Sequence, residues 1–232
     1  MSASCQFDYS APKKRPQRIC LESPIGTGKS TLLAKLQQDP MFPATIKQEP
    51  VHEWREIVDK DTGLDVLSTF YQDPKRNSFM FQMHTLTHRA SMLRQIQARH
   101  TILYERSVLA DRFCFMEMLV EQGMMTDLEK QIYESIYDQH CFACENLVLP
   151  TKVIYLRCSP QVSYARMKHR DREGESSITL DYMERLYAKH EAIFNEAACP
   201  YPVLILDGES DFKNCEETFM DMRKQILKFI QE

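Results

Sequence analysis

The sequence predicts an α/β fold: a parallel five-stranded sheet flanked by helices on both faces. Three observations carry this expectation. Five short runs rich in Ile, Val, Leu and Tyr have the length and apolarity of buried parallel strands. Stretches of helical periodicity separate them, the alternation that builds a parallel sheet. The first run also leads directly into Gly26-Thr27-Gly28-Lys29-Ser30-Thr31, a strand-to-helix junction suited to phosphate. At 232 residues, 43% hydrophobic and 27% charged, the chain can bury a full core as one domain, expected over residues 18–232.

The elements follow in order. Residues 1–17 hold Lys13-Lys14-Arg15 and two prolines without an apolar stretch, so they are expected to be a flexible tail rather than a secretory signal. Asp8 argues against a mitochondrial presequence, and the basic cluster leaves nuclear import open beside a cytoplasmic location. Strands are expected at 18–23, 44–48, 101–104, 152–158 and 201–206. Helices are expected at 30–38, 64–71, 77–99, 108–122, 127–145, 160–168, 180–198 and 213–231. Such sheets bind ligands beyond the carboxyl ends of their strands, which is therefore where to look for chemistry.

The first strand ends in Ser23-Pro24-Ile25-Gly26-Thr27-Gly28-Lys29-Ser30. The usual phosphate loop opens on glycine; here Ser23 takes that place and Pro24 follows, pressing Ser23 into an extended conformation at the strand's end. The amides from Ile25 to Ser30 can still curl around a phosphate at a helix N-terminus, with Gly26 and Gly28 allowing close approach. Lys29 would reach the outer phosphates and Ser30 would take Mg²⁺. The second strand ends in Glu49-Pro50-Val51-His52-Glu53-Trp54 and the third in Glu105-Arg106-Ser107. Two carboxylates thus reach the edge that holds the loop, one able to hold Mg²⁺ and one to accept a proton. After the fourth strand, Arg166 and Arg170 share a helical face and Arg172 follows, a basic lid suited to a transferring phosphoryl group.

Net charge is −4, so nucleic acid is not an expected partner, and acids interleave with the lid arginines. No apolar run approaches the roughly 18 residues that span a membrane. Eight cysteines are scattered, several inside apolar runs, as reduced thiols of the cytosol are. Cys141 and Cys144 form the one spaced pair; without a second pair they are expected as neighbours on a helix rather than zinc ligands.

From about residue 19 to the C-terminus the chain resembles the deoxynucleoside kinases, the group containing deoxycytidine, deoxyguanosine and mitochondrial thymidine kinases. The matching pieces are the phosphate loop, Glu49-Pro-Val-x-x-Trp54, Tyr71-Gln-Asp-Pro74, Phe81-Gln82, Glu105-Arg-Ser107, the lid arginines and the stretch from Leu180 to Glu191. The resemblance implies a P-loop kinase that uses ATP, or another nucleoside triphosphate, with Mg²⁺ in deoxynucleotide salvage. It implies that Glu49 is the general base, that Glu105 lies on the magnesium side, and that Arg106 steadies the 5′-oxygen. It implies that Tyr71 and Glu175 hold the 3′-hydroxyl, and that Ile25, Val51, Trp54, Leu67, Phe70, Phe81 and Phe115 wall the sugar and base. Asp211 and Phe212 fall in the segment similar to the donor's adenine-binding loop. A homodimer through the helices at 77–99 and 108–145 is implied as well. Two departures stand out: Ser23-Pro24 replaces the family's usual Gly-Asn, and Gly174 replaces a common acid in the lid.

Gln82 and Arg89 lie seven residues apart, nearly two helical turns, so both side chains are expected on one face. Gln82 can pair with the polar edge of a base. Asp111 and Phe115 are likewise four apart. An Arg89–Asp111 pair resembles the deoxycytidine and deoxyguanosine kinases, so deoxycytidine or purine deoxynucleosides are expected ahead of thymidine. Two rivals share part of this pattern. A monophosphate kinase such as thymidylate kinase needs a cation beside the acceptor's phosphate, where this chain has Glu49. A GTPase-like switch needs an Asn-Lys-x-Asp tetrapeptide, which does not occur.

Overall fold

The computed structural model describes residues 17–95, 101–172 and 174–232. The tail expected over residues 1–17 falls, apart from Gln17, outside them, as does the end of the helix expected at 77–99. In chain order the elements are β1 (Arg18–Glu22), α1 (Lys29–Gln37), β2 (Thr45–Lys47), α2 (Val51–Arg55), α3 (Val66–Gln72), α4 (Pro74–Gln95) and β3 (Ile102–Glu105). Then come α5 (Val108–Ala110), a π-helical stretch (Asp111–Met116), α6 (Glu117–Glu121), α7 (Asp127–Tyr137), a second π-helical stretch (Asp138–Phe142) and α8 (Glu145–Val148). The chain closes with β4 (Lys152–Arg157), α9 (Pro160–Arg170), a 3₁₀ turn (Glu175–Ser177), α10 (Leu180–Phe194), β5 (Val203–Asp207) and α11 (Glu216–Gln231).

The strands form one all-parallel sheet in the order β2-β3-β1-β4-β5. Successive residues of a strand face opposite ways, and here both faces are covered. Ile19 and Leu21 of β1, Leu103 of β3, and Ile154 and Leu156 of β4 pack with Leu32, Leu33 and Leu36 of α1 and Phe219, Met222 and Ile226 of α11. Cys20, Ile102, Tyr104, Val153 and Tyr155 turn the other way, to Leu86 and Ala90 of α4, Val108 of α5 and Leu186 of α10. This is why the central strands read as continuous apolar runs rather than alternating ones.

Local signals start the helices where they are needed. Asp65 accepts the Ser68 N–H at 2.8 Å to open α3, and Thr179 accepts the Tyr182 N–H at 3.2 Å to open α10. Thr126 and Glu129 bond reciprocally to open α7. Two helices expected as continuous, at 108–122 and 127–145, are interrupted by π-helical stretches. Cys141 falls in the second interruption and Cys144 just beyond it; with the other described cysteines they are free thiols, and no described group of three or more acids, His or Cys is placed to hold a metal. No described helix is long and apolar enough to cross a membrane.

Candidate active site

At the carboxyl ends of β1, β2 and β3 the chain encloses a cavity of about 830 Å³. Its floor is the phosphate loop. Gly26 (φ 79°) and Gly28 (φ 107°) adopt left-handed backbone that side-chain-bearing residues rarely take. A Cβ at Gly28 would come within 2.8 Å of the tip of the Phe212 ring, so the ring is packed directly against the loop. Gly28 is the N-cap of α1, so Lys29 and Ser30 begin the helix under the loop. Lys29 Nζ donates to the carbonyls of Ser23 (3.0 Å) and Pro24 (3.0 Å) and to Ser23 Oγ (3.1 Å). The serine that stands where the usual loop has glycine thus contributes a hydroxyl partner to the loop lysine, and it also bonds the Thr27 hydroxyl. Burial, reinforced by the nearby Arg106 charge, brings Lys29 down to about 7.

The wall beside the loop is acidic and basic in alternation. Ser30 Oγ donates to Glu105 Oε1 at 2.8 Å, and the Glu49 amide donates to Glu105 Oε2 at 3.3 Å. Glu49 Oε1 lies 2.8 Å from Arg89 Nη2 and 3.2 Å from Arg106 Nε. Burial acts to raise the Glu49 carboxyl, but the Arg106 and Arg89 guanidiniums outweigh it and hold it at about 2. Arg89 is 1% exposed. It donates to both oxygens of Asp111, at 2.7 and 3.3 Å, and to the Glu105 carbonyl at 3.1 Å. The pair with Asp111 is therefore close to the two-pronged geometry that suits a guanidinium and a carboxylate. Arg106 stacks on Phe115 with 4.4 Å from guanidinium carbon to ring centroid.

The opposite wall is apolar. Phe70 and Phe81 stack at 4.6 Å, and Trp54 meets Phe81 edge-on at 6.0 Å. Leu67, Tyr71, Ile25 and Val51 complete this side, and Gln82 is buried with its carbonyl oxygen unpartnered. A buried amide oxygen without a bond is costly, and this one stands among the cavity's lining residues. The roof comes from the segment after α9. Arg170 Nη2 sits 2.7 Å from both oxygens of Glu175, and Arg172 lies 4.0 Å from Glu175.

The fold therefore brings together Ile25, Gly26, Gly28, Lys29, Ser30, Thr31, Glu49, Trp54, Leu67, Tyr71, Phe81, Gln82, Arg89, Glu105, Arg106, Asp111, Phe115, Arg170, Arg172 and Glu175 around one cavity. Four residues expected at the site are placed otherwise. Thr27 turns inward, its hydroxyl donating to the Pro24 carbonyl at 3.1 Å. Arg166, expected as a lid cation, instead bonds the carbonyls of Gly208 (2.5 Å) and Glu209 (2.7 Å), tying α9 to the loop after β5. Phe212 is buried among Leu32, Leu33 and Phe219, beneath the loop. The Asp211 carboxylate accepts from Asn214 at 3.0 Å, closing its own turn. Thr85, Met124, Ile178 and Tyr182 also line the cavity. Of these, Thr85 carried a signal, since it lies one turn from both Gln82 and Arg89 on α4.

Residues 19–231 match the family model for deoxynucleoside kinase. The chain belongs to the deoxynucleoside kinase family. It is 30% identical to a probable deoxycytidine kinase of Fowlpox virus (strain NVSL), over 98% of this chain and 94% of that relative. It is 27% identical to a mitochondrial deoxyguanosine kinase of Xenopus laevis, over 92% of this chain and 89% of the relative. It is 28% identical to the mitochondrial thymidine kinase 2 of Homo sapiens, over 95% of this chain and 81% of the relative. As a deoxynucleoside kinase the chain uses a nucleoside triphosphate as phosphate donor. The oxygens of Ser30 and Glu105 suit Mg²⁺, a hard ion that takes a few protein oxygens and leaves its remaining positions to phosphate and water.

Proposed function

We propose that this chain transfers the γ-phosphoryl group of ATP, or another nucleoside triphosphate, to the 5′-hydroxyl of deoxycytidine or a purine deoxynucleoside in preference to thymidine. The observation that carries the reading is the Glu49 carboxylate, held between Arg89 and Arg106 in the cavity that Lys29 also lines. In this reading the phosphate loop cradles the donor. The apolar wall from Trp54 to Phe115 seats the acceptor's sugar and base, with Tyr71 and Glu175 at the 3′-hydroxyl. Gln82, Arg89 and Asp111 present bonds to the base's polar edge, and a thymine methyl meets a charged pair rather than open space.

Glu49 takes the 5′-hydroxyl proton as the oxygen attacks in line. The Arg106 and Arg89 charges keep this carboxyl ionised at neutral pH, the state that can accept a proton. Arg106, Lys29 and the lid residues Arg170 and Arg172 face the charge that develops on the transferring group, a reaction that depends chiefly on positioning and electrostatics. Ser30 and Glu105 would hold Mg²⁺, which supplies charge neutralisation at the donor's phosphate oxygens. The roof above the cavity limits access of water as a competing acceptor. A homodimer in the cytoplasm, without nucleic acid as partner, completes the proposal.

The test is a rate comparison on the four natural deoxynucleosides and their monophosphates. Deoxycytidine or a purine deoxynucleoside is expected to give the highest kcat/KM; thymidine in first place would overturn the acceptor assignment. Glu49→Gln is expected to lower kcat by about 10²-fold or more, the scale of a lost general base, with folding unchanged. Near-normal turnover at saturating substrate would remove Glu49 from its role.

A further inference from the structure

We propose that Glu22 is a positioning residue for phosphoryl transfer: its carboxylate holds the backbone turn that delivers Arg106 to Glu49. The inference rests on the reading of Arg106 as a group of the reacting centre. The ladder between β1 and β3 ends at the Leu21–Glu105 pair. One residue on, the Arg106 N–H still donates to the Leu21 carbonyl, at 3.0 Å. The following amide, that of Ser107, donates instead to Glu22 Oε1 at 2.7 Å. A side chain thus takes over where the strand's backbone stops.

Between those two bonds stands Arg106, at φ 62°. Left-handed backbone at a residue with a side chain persists only where its surroundings over-determine it. Here the amides on both sides of Arg106 are tied, one to backbone and one to Glu22, and the Arg106 carbonyl accepts from Arg89 at 3.4 Å. The turn sends the guanidinium onto the Phe115 ring, 3.2 Å from Glu49 Oε1. Glu22 itself is fully buried, and its Oε2 has no partner. A buried carboxyl with one free oxygen is an expensive way to fill a core position, and its one bond is the bond to Ser107. Burial raises its pKa to about 7, opposed by the bond from Ser107 and by the nearby charges of Arg106, Arg89 and Lys29. Glu22 is not among the residues that line the cavity, so it acts through Arg106 and not on substrate.

The experiment measures kcat and both KM values for the full chain with Glu22→Gln, Glu22→Ala, Glu22→Met, Arg106→Ala and the double variant Glu22→Ala/Arg106→Ala. Loss of the acceptor in Glu22→Ala or Glu22→Met is expected to lower kcat by about 10²-fold, the effect of a misplaced group, while both KM values stay within about threefold. Glu22→Gln keeps a carbonyl oxygen for the Ser107 N–H and is expected to restore most of that loss. The double variant is expected to be no slower than Arg106→Ala, because residues that act as one unit are not additive. Losses that multiply in the double variant, or normal turnover in Glu22→Ala, overturn the proposal while leaving the Arg106 reading intact. Normal turnover in Arg106→Ala overturns both. A protein that folds with Gln but with neither Ala nor Met overturns it too, since the bond would then serve stability.

Discussion

Arg89 joins two tasks that the sequence shows only one of. Its seven-residue spacing from Gln82 places it on the cavity face of α4, and that much was legible from helical period alone. Its bond to Glu49, 40 positions away, was not, because no periodicity reports what a long side chain meets from another element. Nor could periodicity tell that Arg166 would turn to the Gly208 carbonyl while Arg170, one turn on, turned to Glu175. Side-chain reach settles such choices, and it depends on the tertiary setting. The buried cluster makes a stability prediction. Arg89→Met alone strands the Asp111 carboxylate, 3% exposed, without its partner, and is expected to cost about 3–5 kcal/mol. Adding Asp111→Ala removes the stranded charge, so the double variant is expected to be more stable than the single one in urea titration. The same double variant is expected to raise the ratio of thymidine to deoxycytidine kcat/KM. Unchanged ratios would show that the pair does not read the base, and a double variant less stable than Arg89→Met would show that Asp111 is held by other groups.

Among the elements, strand and helix order was legible, and boundaries were off by a few residues for identifiable reasons. β1 stops at Glu22 because Pro24 and the turn at Gly26 end the ladder. α2 went unseen because five residues are too few to display a helical period. The π-helical stretch from Asp111 to Met116 inserts a wide turn that a fixed period of 3.6 cannot register. That stretch carries Asp111 and Phe115 into the site, so the irregularity lies where function is. The lid shows the same logic at Gly174, whose φ is 89°. A Cβ there would lie 2.9 Å from Cγ of the Tyr71 ring, so only glycine lets the turn bearing Glu175 sit against Tyr71. Gly174→Ala is expected to raise nucleoside KM about 10-fold through strained backbone and a displaced lid, leaving KM for the triphosphate unchanged. An equal rise in both constants would mean that the turn serves the whole cavity and not the acceptor. On α10, His190 is fully buried, its Nδ1 facing the Leu186 carbonyl at 2.8 Å. Burial lowers its pKa to about 3 from an ordinary value of 6.5. The unfolded chain takes a proton below about 6.5 that the folded chain refuses, so this contribution to stability is lost progressively as pH falls from there toward 3. Between pH 7.5 and 5.5 the loss attributable to His190 is about 1 kcal/mol, and His190→Gln is expected to flatten that part of the pH–stability curve. An unaltered slope would assign the acid sensitivity to other groups.

Seen whole, the molecule divides its labour between the two faces of one sheet. The face covered by α1 and α11 is a plain apolar layer that anchors the phosphate loop from below, through Leu32, Leu33 and Phe212. The other face, beneath α4 and α10, carries the buried histidine and tyrosines and runs out into the cavity. Beyond it, from α7 to α8, apolar side chains reach solvent: Leu128 is 67% exposed, Phe142 60% and Leu147 50%. Large apolar groups concentrated on one exposed segment mark a surface for association, and a stable dimer buries about 1,600 Å² in total. Leu128 and Phe142 fall within 108–145, which with 77–99 is one of the two stretches that the family resemblance offers for a homodimer. Sedimentation equilibrium is expected to give the mass of two 27.3 kDa chains. Phe142→Asp with Leu147→Asp is expected to shift the population to single chains without lowering Tm measured on the monomer. Because Lys29, Glu49 and Arg106 stand at the strand ends of the sheet and not on α7 or α8, the dissociated protein is expected to keep near-normal turnover. A dimer that survives both aspartates would move the interface to another surface, and a single-chain wild-type protein would remove the homodimer altogether. Loss of turnover on dissociation would mean that the partner steadies the helices that carry Arg89 and Asp111, linking assembly to the choice of base.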